Sequence, residues 1–166
     1  MKVSIFGGSK VNDFLYSRAS EVGKIVASRG YEVYTGGYGG SMEAVSMGCK
    51  KSKGHSVGVC IKGHVIDNSV KPNKHNGEII LADSLLQRIE MLLESDAVII
   101  LDGSLGTLQE LVCALANNYL SKKPKIIIFS KKFKDVVNYF KKKNLLKDIY
   151  PSIIFVNNLK ELSKIL

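Results

Sequence analysis

The 166 residues are 45% hydrophobic and 23% charged, with a formal charge of +9 at pH 7. That balance is ordinary for a soluble globular protein, and the length suits one domain with a buried core. No apolar run approaches the roughly 20 residues that span a bilayer. The amino terminus, MKVSIFGGSK, runs straight into a short apolar stretch and a glycine pair instead of a secretion signal, so a cytoplasmic protein is expected.

Val3–Phe6 reads as the first strand and ends in Gly7-Gly8. Helical periodicity runs from Asp13 to Arg29, with Gly30 placed to close that helix. Tyr31–Tyr34 is a second strand, followed by TGGYGG and a helix over about Ser41 to Lys51. Ser56–Cys60 is a third strand. The segment from Ile61 to about Gly77 shows no regular period and exceeds the usual connection length, as lids and binding loops do, and a plain surface excursion fits it equally. A helix over Asp83–Glu94, a fourth strand Ala97–Leu101, a helix Thr107–Tyr119 and a fifth strand Lys125–Phe129 follow. The chain closes with a lysine-rich helix, a short strand Ile153–Val156 and a helix from Leu159. Alternation of strands and helices, with strands apolar throughout, predicts an α/β fold: a Rossmann-like, doubly wound parallel sheet with helices on both faces, as a single domain over residues 1–166.

The positive charge comes from 21 lysines and 3 arginines. In KKFKDVVNYFKKKNLLKD, Phe133, Val136, Val137 and Phe140 recur at i, i+3, i+4, i+7, so the lysines there are read as the wet face of a core-facing helix and not as a nucleic-acid groove. Cys49, Cys60 and Cys113 are odd in number and outside CxxC spacing, and His55, His64 and His75 have no ligand spacing either. Neither a disulfide framework nor a metal site is expected.

All strands of such a sheet point one way, so the turns after them gather on one edge, where ligands bind near the switch point. Three of those turns are glycine-rich: Gly7-Gly8-Ser9 after the first strand, Gly36-Gly37-Tyr38-Gly39-Gly40 after the second, and LDGSLGTLQE, Leu101 to Glu110, after the fourth. Each leads into a helix whose first N–H groups favour a phosphate. The first turn lacks GxGxxG, the second strand ends in Thr35-Gly36 and not in an acid for a ribose hydroxyl, and GxxxxGKS/T is absent. A dinucleotide site and a triphosphate-hydrolysing loop are therefore both unsupported. Thr107-Leu108-Gln109-Glu110 also fits a capping box, in which Thr and Glu satisfy one another's orphan N–H groups. Leu108, Leu111, Val112 and Leu115 mark the stripe expected to face the core. At about 100° per residue Glu110 falls roughly 200° from Leu108, so its carboxylate is expected to face the cleft.

The pairing of TGGYGGSMEAVSMG with LLQRIEMLLESDAVIILDGSLGTLQE resembles the LONELY GUY family of cytokinin nucleoside 5′-monophosphate phosphoribohydrolases, whose relatives were long labelled possible lysine decarboxylases. The resemblance spans Val3 to about Ile128. Gly103, Gly106, Thr107 and Glu110 match its PGGxGTxxE signature, Arg88 matches the arginine of the preceding helix, and Gly36, Gly37, Gly40 and Met42 match an earlier GGxxGxM turn. Asp102 stands in place of the signature's proline, Ser104 in place of its second glycine, and Ile89 follows Arg88 where many active members have lysine. The family implies hydrolysis of the N-glycosidic bond of AMP or an N6-substituted AMP, without metal or cofactor, in a homodimer that binds neither nucleic acid nor membrane. It makes Glu110 and Arg88 the catalytic candidates. Gly7, Gly8, Ser9, Gly36, Gly37, Gly39, Gly40, Met42, Asp102, Gly103, Ser104, Gly106 and Thr107 become candidates for holding the nucleotide. A non-catalytic nucleotide or molybdenum-cofactor carrier of the same fold is the alternative, and Asp102 and Ser104 lean toward it.

Overall fold

The computed structural model describes the backbone of all 166 residues and every side chain except those of Lys147 and Asp148. Strands β1 (Lys2–Phe6), β2 (Glu32–Thr35), β3 (Ser56–Ile61), β4 (Glu78–Ala82), β5 (Ala97–Ile100), β6 (Lys125–Ile128) and β7 (Ile154–Phe155) form one sheet in the order β4-β3-β2-β1-β5-β6-β7. Every pairing is parallel. Chain order reverses between β1 and β5, which pair from Val3↔Ala97 to Phe6↔Ile100, and this is the switch point.

Helices α1 (Asp13–Ser28), α2 (Ser41–Lys51), α3 (Lys62–Ile66), α4 (Leu85–Leu93), α5 (Leu105–Ser121), α6 (Lys131–Lys142) and α7 (Leu159–Ile165) complete the chain, with a 3-10 turn at Lys147–Ser152. Past their first residues, β1, β5 and β6 are apolar at every position but Ser4 because both of their faces are covered. Val3, Ile5, Ile99 and Ile127 pack against Val22 and Val26 of α1, Val45 of α2 and Leu162 of α7. Phe6, Val98, Ile100 and Ile126 pack on the other face against Leu92 of α4, Leu111 of α5 and Phe133 and Val137 of α6. Burial of each such side chain stabilises by about 1.5–3 kcal/mol. The lysine-rich helix behaves as its periodicity predicts, with Phe133 and Val137 buried and Val136 and Phe140 half-buried against the core. Gly30 closes α1 at φ 74°.

Two elements differ from the reading of the sequence. The long segment after β3 contains the short helix α3, and EIILA after Gly77 forms the edge strand β4, paired from Val57↔Glu78 to Ile61↔Ala82. With only one neighbour, β4 leaves Ile79 and Leu81 exposed, and so the signature of a buried strand is weak. The fourth strand of the sequence reading is accordingly β5.

Side-chain caps start most of the helices. Asn12 accepts from Leu15 N–H at 2.9 Å, Ser84 from Gln87 N–H at 3.2 Å and Ser130 from Phe133 N–H at 3.3 Å. Helices α2 and α5, which follow the second and third glycine turns, have no side-chain cap. In α5 the N–H groups ahead of the first intrahelical bond stay open, whereas in α2 that of Ser41 is taken by the Gly8 carbonyl. α1 and α2 cross at backbone contact: a Cβ on Gly48 would collide with the Ser20 carbonyl, and one on Gly23 with that of Val45. This close crossing holds the first two glycine turns side by side.

Candidate functional site

The three glycine turns interlock. Gly8 N–H donates to the Asp102 carbonyl at 3.0 Å, and Ser41 N–H donates to the Gly8 carbonyl at 2.9 Å. The fit leaves no room for side chains: a Cβ on Gly7 would lie 2.7 Å from that of Ser41, and one on Gly103 would strike the Thr107 hydroxyl. Between the first and third turns opens a cavity of about 320 Å³, lined by Gly8, Ser9 and Lys10 on one side and by Asp102, Gly103, Ser104 and Lys132 on the other. Lys132 Nζ donates to the Gly103 carbonyl at 2.8 Å, which fixes the turn and places a cation at the rim.

The expected capping box is absent. α5 starts two residues earlier than expected, with Ser104 as an N-cap that makes no side-chain bond, and Leu108 N–H already donates to the Ser104 carbonyl at 3.0 Å. Thr107 thus lies in the first turn of the helix, its hydroxyl packed against Gly103, and Glu110 lies one turn further. The N–H groups of Leu105, Gly106 and Thr107 precede the first intrahelical bond, and nothing would contact a Cβ on Gly106 within 4 Å. An uncapped helix start with open space around it is a place for an anionic oxygen.

The stripe on α5 keeps Leu111 and Leu115 in the core and Leu108 packed against it, as expected, but it does not include Val112. The buried residues are Thr107, Glu110, Leu111, Ala114, Leu115 and Asn118, while Val112 is 44% exposed. Glu110 therefore belongs to the inward face, because small Ala114, and not Val112, lies against the sheet. Its partner there is Arg88, on the inward face of α4. Arg88 Nη1 lies 3.6 Å from Glu110 Oε1, with the two side chains 9% and 10% exposed. Arg88 is buried and pairs with Glu110, not with Glu90 or Glu94 of its own helix. Arg88 Nε donates to the Val59 carbonyl of β3 at 2.8 Å, and the guanidinium lies 5.6 Å from the Tyr38 ring centre. Gly36 is required above it, since a Cβ there would strike Arg88 Nη2 and approach Met42 Sδ to 2.7 Å. Burial pushes the Glu110 carboxyl up from 4.5 to about 7, and the Arg88 charge opposes only part of that rise. The pair thus lies behind the second glycine turn, apart from the cavity between the first and third.

The Asp102 carboxylate is engaged by residues of α1 and the start of α6. It forms an ion pair with Arg18 of α1 and accepts a hydrogen bond from Ser130 Oγ at 2.7 Å. Arg18 is held in turn 4.9 Å from the Phe129 ring centre. One ion pair therefore ties the third turn to α1 and to the start of α6. The sequence reading passed over Arg18, Ser130 and Tyr38. Arg18 was the one with a signal, as one of only three arginines. Ser9 and Gly39 lie at the open side of the turns, and Met42 is buried below Gly36.

Residues 1–160 match the model of the SLOG cluster4 family. A protein of Archaeoglobus fulgidus is 27% identical over 132 residues, covering 77% of this chain and 83% of that one. A cytokinin riboside 5′-monophosphate phosphoribohydrolase of Mycobacterium tuberculosis is 34% identical over 116 residues, covering 69% of this chain and 61% of its own length. Among solved structures, a molybdenum cofactor binding protein from Rippkaea orientalis superimposes with a TM-score of 0.79 at 21% identity, covering 99% of this chain and 93% of that one. The DNA processing protein A of Helicobacter pylori reaches a TM-score of 0.65 at 14% identity over 99% of this chain and 79% of its own. At these identities the solved structures establish the fold alone.

Proposed function

The chain belongs to the SLOG cluster4 family, as a divergent member of the LONELY GUY-like proteins, and we propose that it is a nucleoside 5′-monophosphate phosphoribohydrolase acting on AMP or an N6-substituted AMP. The observation that carries this reading is the buried Arg88–Glu110 pair, whose Glu110 lies on the same helix as the uncapped, glycine-flanked start of α5. Water adds to C1′ of the ribose, the C1′–N9 bond breaks, and the departing base takes up a proton. The products are free base and ribose 5-phosphate.

In this reaction positive charge develops on the sugar, and a carboxylate in a low-dielectric site stabilises it. Glu110 is the group for that task. With its pKa held near 7 it also alternates between base and acid at working pH, first taking a proton from the attacking water. Arg88 keeps a fraction of the carboxylate ionised and orients it. The N–H groups of Gly106 and Thr107, with the Thr107 hydroxyl, hold the 5′-phosphate, and Gly7, Gly8 and Ser9 close the cradle from the first turn. Asp102 is paired with Arg18, so its replacement of the family's proline does not set an unpaired carboxylate against the phosphate. The ligand on this reading is a small nucleotide and not a nucleic acid, and the protein works in the cytoplasm. The exposed apolar Leu86, Val112 and Leu120 on α4 and α5 form the face of a homodimer.

The carrier alternative rests on Asp102 and Ser104, which depart from the hydrolase signature, and the fold shared with a molybdenum cofactor binding protein is compatible with it. One experiment separates the two. Incubation with AMP and with N6-isopentenyl AMP, followed by chromatography, yields free base and ribose 5-phosphate in equal amounts if the proposal holds. Intact nucleotide together with a raised Tm would make the protein a carrier.

A further inference from the structure

The segment between α3 and β4 closes over the second glycine turn through two asparagines. Asn73 N–H donates to the Gly37 carbonyl at 2.8 Å, and the Asn73 side-chain amide reaches that carbonyl at 3.0 Å and the Tyr38 carbonyl at 2.9 Å. Asn76 Nδ2 donates to the same Gly37 oxygen at 2.9 Å. The amide orientations are fixed by their other ends. Asn73 Oδ1 accepts from His75 N–H at 3.0 Å, and Asn76 Oδ1 accepts from Ser46 Oγ at 3.1 Å and from Asn73 Nδ2 at 3.2 Å. The contact is close enough to require glycine at position 58 of β3, where a Cβ would lie 2.8 Å from Asn76.

Two consecutive carbonyls, those of Gly37 and Tyr38, are thus drawn to the β3 side. In a trans peptide the N–H that follows a carbonyl points the opposite way. The N–H groups of Tyr38 and Gly39 therefore point away from β3, toward β1 and the Gly8–Ser9 turn. Neither has an acceptor among the described residues, although Tyr38 is buried. Unpaired backbone N–H groups at a buried position are rare in folded proteins, and parallel neighbouring ones form an anion-binding concavity. Gly37, at φ 77°, supplies the backbone conformation that the arrangement needs.

We infer that Asn73 and Asn76 are positioning residues of the nucleotide site: by holding the Gly37 and Tyr38 carbonyls outward, they aim the Tyr38 and Gly39 N–H groups at an anionic oxygen of the ligand. This rests on the nucleotide-binding reading given above. The second glycine turn then acts as a donor pair facing the cradle of α5, and the long segment after β3 is what gives it that orientation.

The test is a titration of the ¹⁵N-labelled protein with AMP, following the amide signals of Tyr38 and Gly39 beside those of Gly106 and Thr107. All four move downfield if the inference holds. In Asn73→Asp, which keeps the acceptor for His75 but turns an oxygen toward the two carbonyls, Gly106 and Thr107 still respond. Tyr38 and Gly39 do not, and the Kd for AMP rises about tenfold, the loss of one charge-assisted hydrogen bond. Signals of Tyr38 and Gly39 that stay still in the native protein while the cradle signals move would overturn the inference and leave the nucleotide reading standing. If none of the four moves, the nucleotide reading falls and takes the inference with it. Val137→Ala, a core change on α6, serves as the stability control. An equal loss of AMP affinity there would reduce the Asn73 effect to general destabilisation and overturn the assignment.

Discussion

Replacing Glu110 by glutamine tests the physical state of the site without any substrate. Burial raises the Glu110 pKa from 4.5 to about 7, so between those values the folded chain holds a proton that the unfolded chain has released. Stability from this group is fully present below pH 4.5 and is lost as pH rises through 7. At about 1.4 kcal/mol for each pH decade, the loss comes to about 3 kcal/mol. That is a large share of the ~5–15 kcal/mol that holds a domain together. Glu110→Gln removes the titration while leaving every other ionisable group in place, and its cost to Arg88 does not vary over this range. Urea unfolding of both proteins at intervals between pH 4.5 and 8 gives two stability curves. The native protein loses about 3 kcal/mol relative to the variant across that window, with the steepest change between pH 5 and 7. A constant difference across the window would refute the raised pKa and, with it, the proposal that Glu110 exchanges protons at neutral pH.

Three further substitutions probe the scaffold around the pair. Gly103→Ala drives a methyl into the Thr107 side chain and is expected to abolish the Tm increase given by AMP and to cost about 1–3 kcal/mol of stability in the ligand-free protein. Gly48→Ala drives a methyl into the Ser20 carbonyl at the α1–α2 crossing and is expected to destabilise by about 1–3 kcal/mol, read by urea unfolding. Arg18→Met leaves the Asp102 carboxylate without its partner beside the cradle. It is expected to cost about 2 kcal/mol of stability and to raise KM for AMP more than it lowers kcat, with Asp102→Asn in the same background restoring much of the KM.

Much of the architecture could be read from the chain because its signals are local. Val3–Phe6, Ala97–Leu101 and Lys125–Phe129 are continuous apolar runs bounded by turns, and Phe133, Val136, Val137 and Phe140 keep strict helical spacing. The three glycine turns, each following a strand, come together on one edge of the sheet for the same reason. β4 escaped notice because an edge strand leaves Ile79 and Leu81 in solvent and has no second neighbour to demand a fully apolar run. Thr107 to Glu110 resembled a capping box because that spacing fits any first turn, and only the backbone reveals that α5 begins at Leu105. On α5 the leucine spacing is a true guide to the core, but Val112 is not: the helix also buries Ala114 and encloses the Arg88–Glu110 pair, so a carboxylate joins its inward face. The links from Asp102 to Arg18 and from Gly37 to Asn73 and Asn76 join residues far apart in the chain, and no local pattern announces them.

The central claim, that Glu110 beside Arg88 breaks the glycosidic bond of a bound nucleoside monophosphate, meets its most direct test in the rate of adenine release from saturating AMP by the native protein and by Glu110→Gln, each with its Kd for AMP measured alongside. The account predicts release by the native protein, a fall of roughly 10³-fold or more in the variant, as expected on removing a principal electrostatic and acid–base group, and a Kd changed by less than about tenfold. Native protein that binds AMP and releases no adenine, or a variant that releases it at the native rate, would contradict the account.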